Sequence, residues 1–115
     1  MAMNILIYAH KRNFDVQKAE RYFKERRVPY QFVDLNKRAV GLRELQNIAA
    51  QVGVKALIDT ASPAYQEHYI GHLTEDNTIM DALAAHPKLL KAPIVRCGKW
   101  STVGYRPEVW DGWRE

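Results

Sequence analysis

Pro93-Ile-Val-Arg-Cys-Gly-Lys-Trp-Ser-Thr-Val103 decides the fold. Two short runs rich in β-branched and aromatic residues flank Gly98-Lys99, a pattern that predicts an antiparallel hairpin from Ile94 to Val103. Gly104 ends it, and Arg106-Pro-Glu-Val-Trp110 reads as a short terminal helix with Pro107 in its first turn. Toward the N-terminus the texture changes. From Leu42 the apolar residues Leu42, Leu45, Ile48, Ala49 and Val52 recur at helical spacing until Gly53. A second helical stretch carrying Ile79, Met80 and Leu83 follows the cap-like Thr74. Between them Ser62-Pro63 marks a turn or helix start, and 54–73 should hold one or two short helices. No strand pattern interrupts this block.

Strand signals return at the front of the chain. Ile5 to Tyr8 is short, apolar and β-branched, as a buried strand requires. A helix should follow from about Phe14 to Arg26, because Val16, Ala19 and Phe23 share one face while most charges lie elsewhere. Asn13 and Asp15 both suit its N-cap, Pro29 stops it, and Tyr30 to Asp34 reads as a second strand. The first 34 residues therefore predict a βαβ unit with parallel strands. The full order is βαβ, a helical block, ββ, then α. This is an α/β chain of the thioredoxin-like kind: one domain, 1–115, with a four-stranded mixed sheet and a helical insertion at about 42–86.

Composition narrows the function classes. Hydrophobic content of 47% with 26% charged residues is ordinary for a globular domain of 115 residues. No apolar run approaches the roughly 20 residues that span a bilayer, and no secretory leader pattern opens the chain, so no membrane and a cytoplasmic location are expected. The single cysteine, Cys97, cannot form an internal disulfide, and four scattered histidines give no metal pattern. His68 and His72 have the i, i+4 spacing of a helical metal pair, but Gly71 interrupts them and no third ligand is suitably spaced. A net charge of +4 mildly favours anionic partners, yet the basic residues are spread along the chain, so direct nucleic-acid binding is not expected.

Two separated segments carry a family resemblance. Leu83-Ala-Ala-His-Pro-Lys-Leu-Leu-Lys-Ala-Pro-Ile-Val-Arg-Cys-Gly-Lys-Trp-Ser-Thr-Val-Gly-Tyr105 resembles the signature of the arsenate reductase (ArsC/Spx) family, in which a helix ends in Asn-Pro, continues Leu-Ile-Lys-Arg-Pro-Ile, and reaches a Gly-containing hairpin and Val-Gly-Phe. At the front, Tyr8, Lys11, Val16, Lys18 and Ala19 fall where that family has Tyr-Gly-x-x-Asn-Cys-Asp-Thr-Val-x-Lys-Ala. The departures bear on chemistry. The family's nucleophilic cysteine falls on Asn13 in an ungapped alignment, or on Phe14 with a shift of one, and the family arginine before the proline is Ala92. Neither an amide nor a phenyl ring can be activated as a thiol is at a helix N-terminus. No catalytic residue is therefore expected there, and arsenate reduction by the family mechanism is not.

The resemblance implies a redox-silent binding or regulatory module. His10, Lys11, Arg12 and Asn13 at the helix start, with Pro93, would form a residual site for a small anion or for glutathione. The simpler alternative is a solvated loop. Pro93 matches a family proline that is commonly cis, so a cis Ala92-Pro93 peptide is expected, offering a backbone edge to peptide-like ligands. Spx-type relatives imply RNA polymerase as a protein partner, and a nitrogenase-associated branch implies a larger assembly. The alternative function is a reductase or glutathione-linked thiol oxidoreductase using Cys97 or a ligand thiol. Cys97, however, lies four positions beyond Pro93, about 13 Å along an extended strand, and a structural role is simpler. Trp100, Tyr105, Trp110 and Trp113 read as core packing around the hairpin, or as a partner face.

Overall fold

A computed structural model describes residues 4–38, 40–67 and 75–113. The elements are β1 (Ile5–Ala9), α1 (Phe14–Glu25), β2 (Tyr30–Asp34), α2 (Leu42–Val52), α3 (Pro63–Glu67), α4 (Asp76–Ala85), β3 (Ile94–Cys97), β4 (Trp100–Val103) and α5 (Pro107–Trp110). Among the described residues, single 3₁₀ turns at Lys55–Leu57 and Pro87–Leu89 also belong to the helical block. The sheet has four strands in the order β2-β1-β3-β4. As expected, β1 and β2 are parallel, with Ile5 opposite Tyr30, and β3 and β4 form the antiparallel hairpin, with Ile94 opposite Val103. The hairpin joins the front half through antiparallel pairing of β1 with β3, Ile5 against Cys97.

Alternation along β1 divides the core between the two faces of this sheet. Ile5 and Ile7 pack with Ala19, Tyr22 and Phe23 of α1 and with Trp110 and Trp113 at the C-terminal end. Leu6 and Tyr8 face the helical block, against Leu45 and Ile48 of α2 and Ile79, Met80 and Leu83 of α4. Most of the aromatic C-terminal third is core: Trp110 and Trp113 are buried, the Trp110 indole N–H donates to Thr102 Oγ1 at 2.8 Å, and the Trp100 and Trp113 rings stack, whereas Tyr105 is exposed.

Boundaries depart from the expected ones for local reasons. The first helix ends at Glu25, one residue early, because Arg27 adopts φ 57 and closes the helix with Arg27 N–H on the Lys24 carbonyl (3.1 Å) and Val28 N–H on the Phe23 carbonyl (2.9 Å). This is the Schellman pattern, with arginine at the left-handed position usually taken by glycine. Pro29 follows it and does not cause it. Within the block, an isolated antiparallel bridge joins Ile58 to Leu90, flanked by Asp59 N–H to the Leu89 carbonyl (2.8 Å) and Lys91 N–H to the Leu57 carbonyl (2.8 Å). That pairing ties the block's middle to the segment entering β3. The fourth helix starts after Glu75, while the expected cap Thr74 and the pair His68 and His72 lie outside the described residues.

Candidate functional site

The junction between β1 and α1 is built around Asn13. Its backbone is extended (φ −75, ψ −179), and its side-chain Oδ1 accepts from Val16 N–H at 2.8 Å, so it is the N-cap. Asp15, the other candidate, sits in the first turn, where a carboxylate suits the helix dipole but meets any incoming anion with like charge. The other end of the Asn13 amide is used as well: Nδ2 donates to the Ala92 carbonyl at 3.2 Å. One side chain therefore joins the helix start to the residue before Pro93. Phe14, the alternative position, is the first helical residue and is 81% exposed. Of the two, Asn13 is the one that faces Ala92 and Pro93.

The peptide between Ala92 and Pro93 is cis, as expected. Ala92 is buried against Ala9 and Val16 and presents no side-chain donor. The backbone edge is partly used: the Pro93 carbonyl accepts Gly104 N–H at 2.8 Å, and the Ala92 carbonyl accepts from Asn13.

The three basic residues before Asn13 diverge. His10 is half-buried, its carbonyl accepts from the Asn36 side-chain amide, and its ring lies where Asp59, Lys88 and the Leu90 backbone act on it. Burial, followed by the nearby charge of Lys11, lowers its pKa. Lys11 is exposed. Arg12 turns toward β2: its Nε donates to Glu20 Oε1 at 3.0 Å, and its guanidinium lies 4.0 Å from the centre of the Phe32 ring. Glu20 is in turn held by the Tyr30 hydroxyl at 2.8 Å. Asn13 thus reaches the residue before Pro93, whereas Arg12 engages Glu20 and Phe32 and His10 lies near Asp59 and Lys88.

Cys97 is 2% exposed at the far end of β3, between Ile5 and Trp100 in the sheet register. Its side chain belongs to the buried cluster of Ile5, Ile7, Phe23 and Trp110. Glu44, which the sequence did not single out, accepts from the Tyr8 hydroxyl and from Arg96 Nη1 (3.3 Å). Burial, reinforced by the bond to Glu44 and its charge, pushes Tyr8 up to about 12. This cluster bridges β1, α2 and β3 on the sheet face opposite α1. It makes a polar brace and does not reach the helix start.

Solved structures share this fold. An arsenate reductase from Vibrio cholerae superimposes with a TM-score of 0.83 at 25% identity, over 95% of this chain and 96% of that one. An arsenate reductase (ArsC) related protein from Brucella melitensis does so with a TM-score of 0.71 at 18% identity, over 98% and 96%. No curated protein matches. The model of the ArsC family matches residues 8–112, from within β1 to just past α5, and the chain therefore belongs to the ArsC family.

Proposed function

We propose that this chain is a thiol-independent binding member of the ArsC family, with its ligand site where the start of α1 meets Pro93: His10, Lys11, Arg12, Asn13 and Pro93. The observation that carries the reading is Asn13. At the position aligned with the family cysteine stands an amide whose two ends are both committed, one to the Val16 N–H and one to the Ala92 carbonyl. Such a residue completes the architecture of a site without supplying a nucleophile. The remaining thiol, Cys97, is buried at the opposite end of β3.

The ligand class is a small anion or a glutathione-like peptide, with Lys11 and Arg12 as exposed cations beside the helix start. Purified protein should show no arsenate or disulfide reductase turnover, and should bind phosphate or glutathione with an affinity that falls as salt rises. Replacing Lys11 and Arg12 together by Ala should weaken that binding by about 1–3 kcal/mol. Asn13→Cys should create a thiol with a depressed pKa, since the helix N-terminus and neighbouring cations favour thiolate. Turnover by the unaltered protein that disappears in Cys97→Ser would overturn the reading and assign the chemistry to Cys97.

A further inference from the structure

The sheet order leaves β2 as an outer strand, paired with β1 alone. Leu35 N–H donates to the Ala9 carbonyl at 2.9 Å, and bonding direction alternates along a parallel ladder, so the backbone groups of Phe32 point away from the sheet. They have no hydrogen-bond partner among the described residues. Beside this edge, on the α1 face, runs a groove of about 490 Å³ lined by Arg12, Gln17, Glu20, Arg21 and Lys24. Phe32 and Tyr30 connect strand and groove, one beneath the Arg12 guanidinium and the other bonded to Glu20.

Charge around the edge is mostly positive. Arg12, Arg21 and Lys24 lie in the groove, Arg27 precedes the strand, and Lys37 and Arg38 follow it; all are exposed. The facing carboxylates are both occupied, Glu20 by Arg12 and Tyr30, and Asp34 by the Asn36 N–H. Among the described residues only Nε of the Arg12 guanidinium is hydrogen-bonded, which leaves its terminal nitrogens as a fork that Phe32 and Glu20 hold in place.

We infer that the β2 edge is a docking site for an extended acidic segment of a partner protein, added to the sheet as a fifth strand. Backbone pairing at Phe32 would supply the register. Carboxylates at every second position of the incoming strand would fall on the α1 face, toward Arg12, Arg21 and Lys24, because side chains alternate across a sheet. A second copy of this chain does not fit, since its own β2 would bring the same cations against these. The surface shares Arg12 with the site at Pro93, but Arg21, Lys24 and the Phe32 backbone lie outside that site.

The test uses a blocked synthetic Glu-Val-Glu-Val-Glu-Val peptide, its Lys-Val counterpart, and the full chain. The acidic peptide should bind and slow amide exchange at Phe32, observed by NMR, while the Lys-Val peptide should not bind. Binding should weaken about tenfold in the double variant Arg21→Glu/Lys24→Glu, whose sites are exposed and leave the fold intact by circular dichroism, and should fall as salt rises from about 0.05 to about 0.3 M. Three outcomes would overturn the inference: unchanged exchange at Phe32 with saturating acidic peptide, equal binding of the Lys-Val peptide, or self-association that itself protects Phe32.

Discussion

At the scale of single residues, Asn13 performs two tasks that substitution can separate. Asn13→Ala removes both the cap and the bond to Ala92, and should destabilise the protein by about 0.5–2 kcal/mol in urea unfolding. Asn13→Asp keeps the acceptor for Val16 N–H and loses the donor to the Ala92 carbonyl, so its loss should be smaller than that of Asn13→Ala if capping dominates, and about equal if the link to Ala92 does. Tyrosine titration offers a second check. Tyr8, Tyr22 and Tyr30 are each pushed up to about 12, first by burial and then by hydrogen bonds to Glu44, Asp111 and Glu20. Since the folded pKa values exceed the ordinary value near 10, these groups contribute stability that is complete below about pH 10 and is lost as pH rises toward about 12. Absorbance titration of the six tyrosines should therefore show a late-ionising set, and Tyr8→Phe should shrink it. The Asn13 cap was legible in the sequence as a polar residue before an apolar helical face. The partners of Arg12 were not, because Glu20 and Phe32 reach it only once α1 and β2 pack side by side.

Among the elements, periodicity located nearly every helix and strand, since each buries one face and the spacing of Val16, Ala19 and Phe23, or of Leu45 and Ile48, records which. Ends were less legible. Pro29 suggested a stop for α1, but the closing turn is made by Arg27 in the left-handed conformation, a role that a charged side chain does not advertise. Arg27→Gly should relieve a strain of about 1–2 kcal/mol, offset in part by the entropy of the more flexible unfolded chain, for a net gain of about 0.5–1 kcal/mol. Thermal unfolding of the variant would measure it, and a loss of stability would show that the arginine side chain contributes more than its backbone costs. The Ile58–Leu90 bridge was equally hidden, because a single pair leaves no alternating pattern to read. The Tyr8–Glu44–Arg96 brace spans 36 and 52 residues of sequence, beyond any local spacing rule.

For the molecule as a whole, Cys97 provides a probe of global stability. It lies in the interior strand β3, between β1 and β4, and its side chain packs beneath α1 and the C-terminal tryptophans. A thiol reagent should label it only when the sheet opens, so the labelling rate under native conditions should follow the unfolding equilibrium and rise with urea. Fast labelling without urea would instead reveal local opening of the hairpin. The arrangement of the sheet also has a consequence for synthesis. β1 is made first, yet one of its two neighbours, β3, comes from the last fifth of the chain. While the helical block is being translated, Ile5, Ile7 and Tyr8 can gain β2 on one side but nothing on the other, leaving an apolar strand with an open edge. The emerging polypeptide thus carries its own future centre uncovered until β3 leaves the ribosome, and that interval is when a chaperone has most to protect.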